Sequence, residues 1–372
     1  MRILFILTYY TPHWTGLTQY AKLLGEGLAS KGHAMTILTT RHEPSLKAHE
    51  KMRGVMVHRM APLFQLSRTL FSVEMWLKLP LYIWQTDRVV VFLPSHDVFW
   101  VAILSVLLRK QLFLIHNGDL ILPKGYMNRV IEAIFFFLTN MSMHLSQKII
   151  VNTIDYAAQS HLLKHHKNKW VEIYPPIELI VPQKKATAMI QQKIGNHSPV
   201  VGFAGRFVHE KGFDILLKAI PFVVQQFPQV RFVYAGGKVH YETFFEQCEM
   251  LIKKAGSTLV FLGKLNREDM GSFYGFCDTL VISSRSDFFP FVQIEALLSG
   301  VPIVVTDIPG ARMPVTQTHF GEIVVPESPE ALAQGICKVL SHRRKYNTYV
   351  THAKQEYDGE YSLRKHEQLF IQ

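Results

Sequence analysis

Residues Ser286–Ala296 read S-D-F-F-P-F-V-Q-I-E-A and place two carboxylates, Asp287 and Glu295, on either side of an aromatic, proline-containing segment. The stretch follows the short apolar run Thr279–Ser283, which reads as a buried strand. It leads into Glu295-Ala-Leu-Leu-Ser-Gly300, which reads as a helix closed by a glycine. The first acid is therefore expected on a strand-to-helix loop and the second inside the helix. In an open α/β sheet that edge of the strands is where ligands bind. Two carboxylates placed there suit a polar ligand with hydroxyl groups at both ends. A glycosidase-like acid/base pair needs carboxyls facing across one bond, and the spacing alone does not establish that. The plainer alternative is an exposed loop acid and an unrelated helix acid.

Working outward, the second half of the chain alternates strand and helix. Val200–Ala204 reads as a strand, Gly205–Gly212 as a loop and Phe213–Gln226 as a helix. Arg231–Ala235, Leu259–Leu262 and Ile303–Thr306 read as further strands. Thr243–Ala255, Arg267–Phe276 and Glu330–Leu340 read as helices. The first half has the same rhythm, with strands at Ile3–Thr8, Met35–Thr39, Val55–Met60, Arg88–Leu93, Leu112–Ile115 and Lys148–Asn152. Its helices are expected at Gln19–Lys31, Val98–Leu108 and Asn128–Gln147. This is the pattern of parallel sheets wrapped by helices. Three prolines in Tyr174–Pro182, followed by polar sequence to His197-Ser-Pro199, break the rhythm and mark a domain boundary. No repeat and no low-complexity segment is visible.

Bulk composition agrees with two α/β domains. The chain has 372 residues, 48% hydrophobic and 19% charged, which is globular and not disordered. Three scattered cysteines, Cys248, Cys277 and Cys337, lack C-x-x-C spacing. They fit a reducing compartment and argue against a disulfide frame or a zinc site. The N-terminal apolar run ends in tyrosines and Thr-Pro, unlike a signal peptide. No stretch reaches the roughly 20 apolar residues of a spanning helix. A cytoplasmic protein is expected. The formal charge is +11, and residues 1–182 hold 19 Lys/Arg against 11 Asp/Glu. A basic half can attract nucleic acid or anionic lipid, or simply present a solvated face. Two apolar, basic stretches, Phe64–Trp84 with Arg68 and Lys78, and Arg129–Leu145, suit either a membrane surface or a core helix.

Gly205-Arg-Phe-Val-His-Glu-Lys-Gly212 sits between a strand and a helix and carries two cations, Arg206 and Lys211. Loop amides, a helix N-terminus and two cations favour phosphate there. It is not a P-loop, because GxxxxGK[ST] is absent and Ala235-Gly-Gly-Lys238 is followed by Val239; GxGxxG is absent too. Gly16, in the loop Thr11–Thr18 after the first strand, would let backbone approach a ligand closely. His116 follows a buried strand with Gly118 nearby, where a histidine can face a ligand or serve only the structure.

Together these motifs resemble glycosyltransferase family four, retaining enzymes of the GT-B fold with two Rossmann-like domains facing a central cleft. The resemblance is strongest in G-R-F-V-H-E-K-G-F-D-I-L-L-K-A (205–219), S-D-F-F-P-F-V-Q-I-E-A (286–296), G-V-P-I-V-V-T-D-I-P-G (300–310) and Gly321-Glu-Ile-Val-Val-Pro326. It implies an acceptor-binding domain over residues 1–180, onto which a C-terminal helix of about residues 355–372 packs back, and a donor-binding domain over 181–354. By that resemblance Arg206 and Lys211 contact the donor diphosphate, with Gly205 allowing close approach. Glu295 binds the donor ribose, and Asp287 contacts hydroxyls of the transferred sugar. The backbone of Phe291 and Val292 lies near sugar and diphosphate. His116 lies near the reacting sugar, and Gly16 belongs to the loop closing over it.

Three departures stand out. Asp287 replaces the family's usual Glu and is one methylene shorter. The usual Gly-Gly of the first loop is Thr15-Gly16, and Pro290 replaces a glycine and removes a backbone donor. The implied reaction moves a sugar from a UDP- or GDP-sugar to a glycan or lipid-linked acceptor, in envelope polysaccharide or glycolipid assembly. No metal and no cofactor are required, and peripheral contact with the inner face of an anionic membrane fits the basic first half. A sugar-nucleotide epimerase or a phosphorylase could share the fold, although no lysine is singled out for pyridoxal phosphate. A basic nucleic-acid-binding protein would need aromatic stacking platforms among its cations, and no such module is visible.

Overall fold

The computed structural model describes all residues except 67, 68, 121, 123, 124, 196–198 and 238–242. Arg68, His197-Ser198, Lys238 and Val239, singled out above, therefore lie outside the described residues. The chain forms two compact units, one of Met1–Pro176 together with Gly359–Gln372, the other of Ile177–Asp358.

The first unit is built on β1 (Arg2–Ile6), β2 (Ala34–Thr40), β3 (His49–Met52), β4 (Val55–Met60), β5 (Phe64–Leu66), β6 (Thr69–Phe71), β7 (Arg88–Leu93), β8 (Gln111–His116), β9 (Lys148–Val151) and β10 (Trp170–Glu172). Eight of these form one sheet in the order β10-β9-β8-β7-β1-β2-β4-β3, and β5 pairs with β6 in a separate hairpin. All neighbours in the large sheet run parallel except β3 against β4. Its central strands are continuous Val/Ile/Leu/Phe runs because helices cover both faces. Leu4, Ile6, Val89, Val91 and Leu114 face one core. On the other face Phe92 meets the rings of Phe5 and Tyr20 edge-on.

The last helix, Gly359–Ile371, closes that second face. Phe370 packs on Phe113, with centroids 5.2 Å apart. Its carbonyl accepts from Arg88 Nε at 2.6 Å. His366 is fully buried; its Nδ1 lies 2.8 Å from the Ser362 carbonyl and its Nε2 2.6 Å from the Tyr20 hydroxyl. A carbonyl can only accept, so Nδ1 carries the proton and Nε2 accepts from Tyr20.

The second unit holds β11 (Val200–Ala204), β12 (Arg231–Ala235), β13 (Leu259–Gly263), β14 (Thr279–Ile282), β15 (Ile303–Thr306) and β16 (Gly321–Val324). They form an all-parallel sheet in the order β13-β12-β11-β14-β15-β16. The strand order reverses between β11 and β14, and the loops that follow these two strands emerge side by side. That is the crevice position for ligands in such a sheet.

Several elements differ from the sequence reading. The first helix begins at Gly16, not Gln19, because Thr15 and Thr18 form a reciprocal cap. The polar stretch before Pro199 contains the helix Lys184–Ile194, which buries Ala186, Ile190 and Ile194 along one stripe. The helix expected over 243–255 is two, Phe244–Gln247 and Glu249–Ala255. His116 ends its strand and does not begin the loop. Among the described residues no helix is long and apolar enough to cross a membrane.

Candidate active site

The Gly205–Gly212 loop leaves β11 and folds into a single tight turn, His209–Lys211, before the helix Phe213–Gln226. Phe207 is its apolar anchor, buried against Phe213 and Tyr234. The Tyr234 hydroxyl donates to the Gly205 carbonyl at 2.8 Å. Gly212 has φ +65°, and a Cβ there would sit 1.9 Å from the Ser283 carbonyl oxygen. No other residue fits this close approach of two loops. Ser283 fastens it by donating to the Gly212 carbonyl at 2.8 Å.

Arg285 completes the fastening. Its guanidinium makes two 2.8 Å bonds to the Asp214 carboxylate, one to the His209 carbonyl and one to Glu327. A planar fork suits this bidentate role, which lysine could not fill. Burial would raise Asp214, but the Arg285 guanidinium outweighs it and holds the carboxyl below its ordinary value. Sequence reasoning missed Arg285. Its signal is a cation one residue before the S-D pair, visible only in hindsight.

With both loops fixed, Lys211 reaches Asp287 and forms an ion pair in which the carboxylate is largely buried and the ammonium partly exposed. The structure thus brings together two residues expected in the site, and makes Asp287 the counter-ion of Lys211. Arg206 is exposed on the same loop; its carbonyl accepts from the Val208 amide, and its guanidinium has no hydrogen bond or ion pair among the described residues. Phe291 and Val292 open the helix Phe291–Leu298, with Pro290 at its cap. First-turn amides lie outside the helical ladder and present positive ends.

Glu295 lies one turn further along that helix and is partly buried. It accepts from the Tyr274 hydroxyl at 2.6 Å. Burial raises its pKa, against the opposing pull of Tyr274 and of Arg267. Two carboxylates of one stretch thus stand in different surroundings, one paired with a cation and one with a phenol. Beside them Gln293 is fully buried, and neither side-chain amide atom finds a partner among the described residues.

His116 and Gly16 belong to the first unit. His116 is buried, with Nε2 3.2 Å from Asp119 Oδ1. Ser160 donates to the same oxygen at 2.7 Å. Burial would raise Asp119, but the adjacent His116 ring and the hydrogen bond from Ser160 outweigh it and hold it below its ordinary value. Asn152, just past β9, is buried with both amide atoms unpartnered among the described residues, as is the Ser95 hydroxyl past β7. Gly16 is the first residue of a capped helix. Among the described residues no group of three or more His, Cys, Asp or Glu could hold a metal ion.

Parallel sheets wrapped by helices, with a cation-bearing loop at the strand reversal, define the doubly wound α/β class. Two family models place the chain within it, Glycosyltransferase Family 4 over residues 14–180 and Glycosyl transferases group 1 over residues 184–356. The chain belongs to the group 1 glycosyltransferases. It is 24% identical over 378 residues to an uncharacterized glycosyltransferase of Methanocaldococcus jannaschii, covering 97% of this chain and 95% of that one. It is 29% identical over 190 residues to the mannosylfructose-phosphate synthase of Agrobacterium fabrum, a match spanning 48% of this chain but only 42% of the synthase. The solved structure of Anabaena HepE in complex with UDP and glucose is similar in fold, with TM-score 0.77, 20% identity and coverage of 100% of this chain and 99% of that one. The fold is GT-B.

Proposed function

We propose that this glycosyltransferase moves a sugar, with retained anomeric configuration, from a UDP- or GDP-sugar to a hydroxyl of a glycan or lipid-linked acceptor. The proposed setting is envelope polysaccharide or glycolipid assembly at a membrane surface. The observation that carries the reading is the Arg206–Lys211 loop held against Asp287 at the strand reversal. As the anomeric C–O bond breaks, negative charge grows on the departing diphosphate. Arg206, Lys211 and the helix N-terminus are the positive groups available to meet it. The acceptor oxygen attacks on the face the diphosphate leaves, and its proton passes to a phosphate oxygen, so no protein nucleophile is needed. Asp287 holds Lys211 in place and offers its second oxygen to a sugar hydroxyl. Glu295 accepts from the ribose while Tyr274 fixes its carboxylate. In this reading His116, oriented by Asp119, lies close to the transferred sugar, and Gly16 lets the first loop close over it.

UDP bound to HepE favours a UDP-linked donor. The test is a thermal-shift panel of UDP, GDP and ADP with their sugars. A nucleotide at 100 times its Kd stabilises by about 2.7 kcal/mol. A panel in which no nucleoside diphosphate shifts the transition would sink the proposal, and epimerised sugar released from donor alone would replace transfer by epimerisation.

A further inference from the structure

We infer that the outer face of three helices in the first unit docks on an anionic lipid bilayer. The helices Val73–Trp84, Val98–Leu107 and Tyr126–Leu145 pack one against the next. Their inward residues enter a single core: Met75, Leu79 and Ile83 from the first, Val98 and Val101 from the second, Met143 from the third. Because all three cover the same face of the sheet, their outward stripes emerge on one side of the unit.

A surface helix ordinarily carries polar residues on that side. These three do not. On the first, Val73, Leu77, Leu81 and Trp84 recur at helical spacing, with Leu77 76% exposed. On the second, Trp100, Val106 and Leu107 point outward, with Leu107 70% exposed. On the third, Tyr126, Val130, Ile134, Phe137 and Met141 run outward from end to end, and only Thr139, Ser142 and Met143 are buried. A continuous apolar face of this extent marks an interaction surface.

Charge selects the occupant. The helices contain only two acids, and both are engaged at home. Glu74 accepts from the Ala61 amide and from Lys78 Nζ, and Glu132 accepts from the Leu122 amide. Asp97, at the residue before the second helix, is buried and accepts from Trp76 Nε1 at 2.7 Å. Arg109, two residues past the second helix, and Arg129, on the third, are exposed. The exposed charges bordering the apolar stripes are thus Arg109, two residues past Leu107, and Arg129, beside Val130, while the partly exposed Glu74 is neutralised by its own pair with Lys78. Anionic headgroups match that border, and Trp and Tyr settle at headgroup depth. A second copy of the chain would set these cations against themselves across a two-fold axis. The inference rests on the proposed work at a membrane surface, yet vesicle binding is measured without donor or acceptor.

The experiment is co-sedimentation of the full chain with phosphatidylcholine vesicles and with phosphatidylcholine–phosphatidylglycerol vesicles. Binding is expected to the second and to weaken with salt. Leu77→Ser with Leu81→Ser, and separately Ile134→Ser with Phe137→Ser, should each weaken it by about tenfold or more. Arg109→Ala and Arg129→Ala should each weaken it by about fivefold. All these variants should keep the thermal response to nucleoside diphosphates. No sedimentation with anionic vesicles at low salt overturns the inference. So does a wild-type dimer that the same apolar substitutions convert to monomer, because a second copy then covers the face. Vesicle binding without any nucleotide response would leave this inference standing and remove the proposed function.

Discussion

The second unit assembles its candidate site from two loops at one point of one sheet, both within Ile177–Asp358. The first unit is completed by residues from the far end of the chain, because Gly359–Ile371 supplies Phe370 and His366 to a core begun by Phe5 and Tyr20. Chemistry in the second unit thus depends on short fastenings such as Gly212 under Ser283. Integrity of the first depends on a contact across most of the sequence. The two should fail separately.

Removing residues 359–372 should have the largest effect. It uncovers the sheet face lined by Phe113 and Tyr20, and burial of Phe370, Leu369 and Leu363 is worth on the order of 5 kcal/mol together. Proteolysis should cleave the first unit while nucleoside diphosphates still protect the second. Equal protection of both units in the truncated chain would break the comparison.

Arg206→Ala is next. Loss of the cation proposed to meet the leaving group should lower kcat by about 100- to 1000-fold, with the melting temperature unchanged. A folded variant that transfers sugar at the wild-type rate would remove Arg206 from the site.

The pH response should separate the units. Burial lowers His366 to about 4 from its ordinary 6.5. Folding thus favours the neutral ring, whose stabilisation is full above pH 6.5 and lost as pH falls toward 4, on the order of 3 kcal/mol in all. Glu295 shifts in the opposite sense: burial raises it, so the ionised form proposed to accept from ribose is lost at higher pH than for an ordinary carboxylate. Acid titration followed by hydrogen exchange should loosen residues 359–371 first, and His366→Gln should flatten that response.

The smallest effect is expected for Asp287→Glu. The carboxylate stays beside Lys211 but moves by one methylene. Nucleotide Kd should be unchanged and kcat/KM should shift by less than about tenfold, through the oxygen proposed to contact the sugar. A large loss of nucleotide affinity would show that the Lys211–Asp287 pair supports the diphosphate subsite and not the sugar.

Much of this was legible beforehand. The strands Arg231–Ala235 and Ile303–Thr306 and the helices Phe213–Gln226 and Arg267–Phe276 occupy the residues their periodicity predicts. Gly205–Gly212 reads as a loop between strand and helix, and it is one. The misses have local causes. The helix Lys184–Ile194 hides because only every fourth residue is buried. The first helix begins early through a two-threonine cap. Arg285 and Tyr274 were invisible as site residues because nothing near them in sequence shows which acid each will meet.

The sequence by itself determined the alternation of strands and helices, the glycine-bounded cationic loop and the two acids after Ser286, since each is set by residues a few positions apart. Only the tertiary structure decided that Lys211 pairs with Asp287, that Tyr274 holds Glu295, and that His366 reaches Tyr20. Those contacts join residues far apart in the chain. They depend on strand order and on where a returning helix docks, and the free energy that selects both comes from burial summed over a whole sheet face, which no short stretch of sequence contains.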